Sequence, residues 1–279
     1  MKILNTKVEL VREINKLKSE GLSIGLVPTM GALHQGHLSL IDESKKNADI
    51  TVASIFVNPT QFDNKDDLAN YPKPIEEDIK KLESAGCDIL FNPEVAEMYG
   101  DYEVWDYEVG DLDTKLEGKL RPGHYKGVTQ IVYKLFKAVN PDIAFFGQKD
   151  YQQFLVISKM VKDLNLNIKL QLCDIIREPD GLAMSSRNVR LSQEEREESA
   201  ILHKALLYIK QHYAGLSLGE LQQNAEHLFE NNPLLKLEYI QICDKENLEP
   251  LQEKSPGGAI VLVACFVGKV RLIDNMIIP

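Results

Sequence analysis

Two histidines lie three residues apart at the corner between an apolar run and a helical pattern. In the segment "VPTMGALHQGHLSL", His34 and His37 flank Gly36, and Gly31 lies just upstream. A helix N-terminus offers unpaired backbone N–H groups and partial positive charge, so it stabilises a phosphate. Two imidazoles on this opening turn could hydrogen-bond phosphate oxygens and stabilise the charge that develops on a five-coordinate phosphorus.

The same H-x-x-H spacing has two other interpretations. A catalytic zinc ion usually takes three protein ligands, and no H-E-x-x-H or similar spacing supplies the third. The histidines could also only cap or pack the start of the helix. The segment lacks the Lys-Ser/Thr ending of a P-loop and the glycine spacing of a dinucleotide-binding motif. These residues alone leave phosphate chemistry, metal binding and helix capping open.

Polar clusters follow several other apolar runs that predict strands. They are "FVNPTQF" (Asn58, Gln61), "FFGQKDYQQF" (Gly147, Lys149, Asp150, Gln153) and "REPDGLAMSSRN" (Met184, Ser185, Ser186, Arg187). Each cluster alone could be a solvated loop, a surface ion pair or a turn. Together the clusters supply groups for phosphate (His34, His37, Lys149, Ser185, Ser186, Arg187), for ribose hydroxyls (Asp150) and for a small polar substrate (Gln61, Gln153).

The elements that would position these residues alternate between strand and helix. The pattern predicts strands at 23–27, 50–57, 87–91, 142–146 and 168–172, and helices at 38–46, 75–85, 128–139 and 152–164. This alternation predicts right-handed crossovers and a parallel sheet that is covered on both faces. Because ligands bind beyond the carboxyl ends of such strands, we expect the polar clusters to lie at one edge.

The pattern changes after about residue 176. A helix with Ser192 as N-cap and Glu195 in a capping box is predicted over 192–213, and a second helix over 218–229. The strand-like runs "LEYIQIC", "AIVLVACFV" and "VRLIDNMII" follow, and the last two form a hairpin candidate at Gly268 and Lys269. The predicted fold class is therefore α/β: a Rossmann-like parallel-sheet domain (1–175) followed by a smaller α+β domain (176–279). The polar segment 62–74 is predicted to be mobile.

Composition narrows the class of protein. The chain has 279 residues, with 32 basic and 42 acidic side chains and a net charge of −10, so it lacks the basic surface of a nucleic-acid binder. Its four cysteines have no C-x-x-C spacing, which favours reduced thiols in an intracellular protein. No apolar run reaches the roughly 20 residues that span a bilayer. We expect a cytoplasmic protein without a nucleic-acid or membrane partner.

Several motifs resemble those of a known family. "HQGH" resembles the H-x-G-H signature of the nucleotidyltransferase superfamily that includes class I aminoacyl-tRNA synthetases, and "MSSR" resembles its K-M-S-K-S loop. In order, "PTMGALHQGH", "FVNPTQF", "LEGKLRPGHYKGV", "FFGQKDYQQ", "DGLAMSSRN" and "RLIDN" resemble the pantothenate synthetase family over nearly the whole chain. One departure from the family pattern is Lys73 in "YPKP", where the family has Arg. A lysine ammonium is a point charge and cannot make the two parallel hydrogen bonds of an arginine guanidinium.

The resemblance implies an activity. It implies ATP-dependent condensation of pantoate with β-alanine through a pantoyl-adenylate, which yields pantothenate, AMP and pyrophosphate. Because the pantoate carboxylate would attack the α-phosphate of ATP, the protein need not supply a nucleophile. Mg²⁺ is expected on the ATP phosphates. We expect a homodimer whose C-terminal domain covers the active site.

The resemblance also implies residue roles. His37 would be the proton donor, and the other catalytic residues would be His34, Lys149, Ser185, Ser186 and Arg187. Gln61 and Gln153 would bind pantoate, with Gln61 also near β-alanine. The nucleotide would contact Met30, Gly31, Ala32, Leu33, His34, Gln35, Gly36, His37, Gly147, Gln148, Lys149, Asp150, Ile176, Met184, Ser185, Ser186 and Arg187. The segment 121–127 either supports the pocket wall or only leads into a helix.

Three other functions are alternatives for a chain with these motifs. A nucleotidyltransferase with a phosphorylated acceptor would need more basic groups for the second phosphate. A non-catalytic nucleotide sensor would bind ATP without pyrophosphate exchange. A tRNA synthetase is disfavoured by the chain length and the net charge of −10.

Overall fold

The computed structural model describes residues 1–100 and 104–279 and divides them into two compact units. The first unit comprises the described residues of Met1–Gly147 together with Gln153–Asp174. The second comprises Gln148–Gln152 and Ile175–Pro279. The domain limits that the sequence suggests, 1–175 and 176–279, differ from these units at residues 148–152 and at residue 175.

The first unit is built on a six-stranded sheet in which every recorded strand pair is parallel. The strand order is β1-β4-β3-β2-β5-β6. The strands are β1 (Lys2–Leu4), β2 (Ile24–Thr29), β3 (Ile50–Ile55), β4 (Ile89–Phe91), β5 (Ile143–Gly147) and β6 (Lys169–Cys173). The helices are α1 (Lys7–Ser19), α2 (Gln35–Asn47), α3 (Lys65–Ala69), α4 (Ile75–Ala85), α5 (Val95–Tyr99), α6 (Leu116–Leu120), α7 (His124–Val139) and α8 (Tyr151–Asp163). The parallel sheet confirms the fold class predicted from the alternating pattern.

The strands of this sheet are apolar on both faces. Leu26 and Val27 of β2 and Val52 and Ala53 of β3 are fully buried, as expected where helices cover both sides. Helix α7 buries eleven of its sixteen residues. The three-and-four spacing of its apolar residues predicts a buried face, and the structure confirms it.

The second unit pairs a small antiparallel sheet with helices. The sheet has the order β7-β8-β9, and the elements are β7 (Leu235–Cys243), β8 (Ala259–Val267), β9 (Val270–Ile278), α9 (Gln193–Glu198), α10 (Ile201–His212) and α11 (Leu218–His227). The hairpin at Gly268 and Lys269 is confirmed, since Val267 pairs with Val270 and Gly268 has a φ of 57°. The capping box of Ser192 and Glu195 is also confirmed.

The sequence predictions differ from the structure at several elements. Strand β1 and helix α1 were not predicted, and the predicted helix over 192–213 is divided at Ser199 and Ala200 into α9 and α10. Helix α2 begins at Gln35 and not at Leu38. The segment 62–74 contains the short helix α3. Among the described residues, no helix has both the length and the apolar composition needed to cross a bilayer.

Candidate functional site

Both histidines form the N-terminus of α2. His34 is the N-cap, and its Nδ1 accepts a hydrogen bond from the Gly36 N–H at 3.1 Å. His37 lies three residues on, and its Nδ1 accepts from the His34 N–H at 3.3 Å. The two rings lie 4.1 Å apart between centroids. The pair therefore forms a capping box in which imidazoles take the places that Ser and Glu usually fill.

These two hydrogen bonds fix the tautomer of each neutral ring. Because Nδ1 accepts a backbone N–H in both residues, a neutral imidazole at either position carries its proton on Nε2. Each ring therefore has a donor on the side opposite to the capping contact. The turn can supply imidazole donors next to the partial positive charge of a helix N-terminus, which suits a phosphate.

The loop before the histidines is held by helix α4. Gly31 has a φ of 81° and Ala32 a φ of 50°, so two successive residues adopt the left-handed conformation. The Asp78 carboxylate accepts from the N–H groups of Ala32 and Leu33, both at 2.7 Å. Lys81 Nζ donates to the Leu33 carbonyl at 2.7 Å. Asp78 is only 1% exposed, and this burial raises the pKa of its carboxyl.

The side chain of Gln61 is oriented by two neighbours. Its Nε2 donates to Met30 Sδ at 3.2 Å, and its Oε1 accepts from Asn58 Nδ2 at 3.1 Å. Asn58 is itself 1% exposed, and the Tyr99 hydroxyl donates to its Oδ1 at 2.6 Å. The contact between Met30 and Gln61 joins the residues that follow β2 and β3, as expected for neighbouring parallel strands.

The N-terminus of α7 supports the backbone of Gln61. His124 Nδ1 donates to the Gln61 carbonyl at 2.7 Å, and Arg121 Nη1 donates to His124 Nε2 at 3.0 Å. Burial and the Arg121 charge lower the pKa of His124 to about 4, so the ring is neutral near pH 7. A Cβ at Gly127 would overlap the Thr60 carbonyl group, so only glycine allows this approach. Segment 121–127 thus contacts the wall that carries Gln61.

The predicted site residues are distributed between the two units. The first unit holds Met30 to His37, Gln61, Gly147 at the end of β5, and Gln153 in α8. The second unit holds Gln148, Lys149, Asp150, Ile176 and Met184 to Arg187.

In the second unit, the loop that resembles K-M-S-K-S is ordered by local hydrogen bonds. Ser185 Oγ accepts from the Arg187 N–H at 3.2 Å, and the Met184 N–H donates to the Ile176 carbonyl at 3.0 Å. Lys149 and Asp150 form an ion pair at 3.5 Å, as the surface-pair interpretation expected. A bound phosphate would therefore compete with Asp150 for the Lys149 ammonium.

Sequence reasoning missed several residues that hold the site in place. Asp78, Lys81 and Tyr99 contact the predicted residues or their loops, and so does Asn275 in the second unit. These residues lie far from their contacts along the chain, so no local spacing identified them. The "RLIDN" motif was the one available signal for Asn275. Within the described chain, no cluster of three or more His, Cys, Asp or Glu side chains could hold a metal ion.

A parallel sheet with a histidine-capped helix at its carboxyl edge defines a nucleotide-binding α/β fold. The family model described as pantoate-beta-alanine ligase matches residues 2–277. A pantothenate synthetase from Fervidobacterium nodosum is 47% identical over 281 residues, which cover 100% of this chain and 99% of the relative. One from Bacteroides thetaiotaomicron is 44% identical and covers 99% of this chain and 98% of the relative.

Solved structures agree with this match. The pantothenate synthetase of Thermus thermophilus superposes with a TM-score of 0.94 at 39% identity, covering 99% of both chains. The pantoate-beta-alanine ligase of Francisella tularensis, complexed with beta-gamma ATP and beta-alanine, gives a TM-score of 0.83 at 36% identity, covering 99% of this chain and 97% of that one. This chain belongs to the pantoate–β-alanine ligase family, and it is therefore a ligase.

Proposed function

We propose that the protein condenses pantoate with β-alanine, forming an amide bond at the expense of ATP, which is cleaved to AMP and pyrophosphate. Family membership supports the overall reaction, and the Francisella relative was solved with beta-gamma ATP and beta-alanine. The single observation that carries the chemistry is the pair of imidazoles whose Nδ1 atoms are engaged by the backbone of α2.

The reaction would proceed in two steps. A carboxylate oxygen of pantoate attacks the α-phosphorus of ATP, the bond to the bridging oxygen breaks, and pyrophosphate leaves. The β-alanine amine then attacks the acyl carbon of the adenylate, AMP leaves, and the amine loses a proton. The protein's task is to orient the reactants and to neutralise charge. His34 and His37 would donate from Nε2 to phosphate oxygens, with His37 as the proton donor to the leaving group.

The remaining roles are proposed residue by residue. Gln61, held by Asn58 and Met30, would bind pantoate together with Gln153 and would also lie near β-alanine. The residues proposed to contact ribose, adenine and phosphates are Met30 to His37, Gly147 to Asp150, Ile176 and Met184 to Arg187. Among these, Lys149, Ser185, Ser186 and Arg187 would stabilise charge on the phosphates during the reaction.

Magnesium would enter as part of the substrate. We propose that Mg²⁺ arrives with ATP as the counterion of its phosphates. We also propose that the protein works in the cytoplasm as a homodimer. Light scattering of the purified protein tests the second point, because a monomer mass at working concentration would contradict it.

The proposed function is tested by ATP–pyrophosphate exchange with a panel of small carboxylic acids. Pantoate alone should support exchange, and β-alanine should be required only for the release of AMP. Exchange that strictly needs β-alanine would contradict a freely formed adenylate. A protein that binds ATP without exchange in the presence of any acid would instead be a nucleotide sensor.

A further inference from the structure

One buried asparagine outside the predicted site holds the segment that carries Lys149. Asn275 lies in strand β9 and is 1% exposed. Its Nδ2 donates to the carbonyl of Gln148 at 2.8 Å and to the carbonyl of Lys149 at 3.0 Å. Its Oδ1 accepts from Gln148 Nε2 at 3.0 Å. Three hydrogen bonds from one side chain therefore fix two consecutive residues.

The backbone of Asn275 is fixed in turn by a buried ion pair. The Asn275 N–H donates to Asp274 Oδ1 at 2.7 Å, and its carbonyl accepts from Arg177 Nη2 at 3.2 Å. Arg177 binds both carboxylate oxygens of Asp274, at 2.6 and 3.0 Å, and the Asp274 side chain is wholly buried. Such a bidentate contact fixes the orientation of the two side chains as well as the distance between them.

The same arginine fastens the hairpin that carries other predicted nucleotide contacts. Arg177 Nη1 donates to the Gly181 carbonyl at 3.0 Å, and Arg177 pairs with Ala183 in an antiparallel bridge. Ile176 precedes this bridge and Met184 follows it, with the Met184 N–H bonded to the Ile176 carbonyl. Asn275, Asp274 and Arg177 thus connect the Lys149 segment and the Ile176–Met184 hairpin within one compact unit.

We propose that Asn275 is a positioning residue that acts through Lys149, and that the Arg177–Asp274 pair holds it in place. This proposal rests on the proposed function, in which Lys149 contacts the ATP phosphates. A lysine ammonium can reach only as far as its four-carbon stem allows. The position at which its main chain is held therefore limits where the charge can lie. Displacement of a charged group by about 1 Å is enough to cost about a hundredfold in rate.

The test is a double-mutant cycle on Asn275→Ala and Lys149→Ala, measured as pantoate-dependent ATP–pyrophosphate exchange. In the parent background, Asn275→Ala should lower kcat/KM for ATP by about tenfold to a hundredfold. In the Lys149→Ala background, the same change should alter kcat/KM by less than about twofold, since the residue it positions is gone. Losses that multiply in the double variant would overturn the proposal.

Controls separate positioning from folding. Asn224→Ala removes one exposed hydrogen bond, to the Tyr208 hydroxyl, and should leave exchange unchanged. If Asn275→Ala does not fold, Asn275→Ser retains a donor for one carbonyl and should give a smaller loss with the same dependence on Lys149. A parent protein without exchange would overturn the proposed function. An active parent with multiplying losses would overturn only the positioning role.

Discussion

At the scale of the residue, each ring of His34 and His37 has one observed contact, with the backbone, and one proposed contact, with a phosphate. From the sequence alone, helix capping and phosphate binding are alternative roles for these histidines. The structure makes the two roles compatible, because the capping contact occupies Nδ1 and the proposed phosphate contact belongs to Nε2. Capping therefore fixes the tautomer that the proposed phosphate contact would need. Because these backbone N–H groups donate to Nδ1, they hold the opposite tautomer from the one that a carboxylate holds when it accepts from an Nδ1–H.

Replacing His37 separates the two roles. His37→Asn keeps an acceptor near the Nδ1 position, and His37→Gln keeps polarity nearer to Nε2, but both remove the imidazole. Each should lower the turnover number by about 10²–10³, or roughly 2.7–4 kcal/mol, which is typical for loss of one preorganised donor to a developing oxyanion. Steady-state kinetics measure this loss. Both variants should melt close to the parental temperature, because Gln is a usual residue at this place of a capping box and Asn keeps an acceptor near Nδ1. Near-parental turnover in either folded variant would contradict the phosphate role.

His124 gives a prediction about pH. Its pKa is lowered to about 4 in the folded protein, against about 6.5 for an ordinary histidine, so the unfolded chain binds the extra proton first. The stabilising contribution of the neutral ring is therefore complete above about pH 6.5 and is lost as the pH falls toward about 4, with a slope of at most about 1.4 kcal/mol per pH unit.

The measurement is the free energy of unfolding between pH 7 and 4 for the parent and for His124→Asn, which keeps a donor for the Gln61 carbonyl. The difference between the two curves isolates His124 from the carboxyl groups that titrate in the same range. The parent curve should fall more steeply. Parallel curves would mean that His124 takes up its proton equally in the folded and unfolded states.

At the scale of the element, the approach of α7 to the loop 58–61 depends on Gly127. A methyl group there would overlap the Thr60 carbonyl group and lie 2.7 Å from the Gln61 nitrogen, so the loop or the helix must move. Gly127→Ala should lower the free energy of unfolding by about 1–3 kcal/mol and raise KM for pantoate. Denaturant unfolding and steady-state kinetics measure the two effects.

The matched control is Gly219→Ala in α11, where a Cβ would have no heavy atom within 4 Å. That variant should keep its KM and gain up to about 1 kcal/mol of stability, because alanine favours a helix more than glycine does. An unchanged KM for pantoate in Gly127→Ala would mean that the position of Gln61 does not depend on α7.

The segment 62–74 is a candidate for closure over the loaded site. Its two ends meet where the rings of Phe62 and Tyr71 pack edge to face at 5.7 Å, while Asn64 caps the short helix α3 between them. An acyl-adenylate must be shielded from water, so ATP and pantoate together should slow amide hydrogen exchange in this segment. Hydrogen-exchange mass spectrometry measures it, and equal exchange with and without ligands would assign the shielding to another part of the chain.

The elements that the sequence predicted best are those with strong local patterns. Helix α4 has the predicted bounds of 75–85, and β8 and β9 begin and end where the apolar runs do. Strand β1 was missed because three residues carry no periodicity, and the break between α9 and α10 was missed because helical spacing continues across it. In the candidate site, the sequence motifs name the proposed residues but assign no role to Asp78 or Asn275, because the partners of these two residues are distant in sequence.

At the scale of the whole molecule, the burial of the cysteines bears on whether a thiol could act as a nucleophile. All four cysteines are buried and free of disulfides, and burial raises the pKa of Cys87 and Cys173 to about 11 and that of Cys265 to about 12. These three thiols are therefore protonated and unreactive near pH 7. The histidine pair is engaged with the backbone, which suits charge stabilisation in a reaction between two bound substrates.

The most direct test of the proposed mechanism is to follow the carboxylate oxygens of pantoate through the reaction. If pantoate attacks the α-phosphorus, pantoate labelled with ¹⁸O in both carboxylate oxygens should pass one label to AMP in a complete reaction with ATP and β-alanine. Mass spectrometry of the products should then find AMP heavier by about one ¹⁸O and pyrophosphate unlabelled. Label in inorganic phosphate, with ADP as the other product, would contradict the account, because it would mean attack at the γ-phosphorus and an acyl-phosphate intermediate.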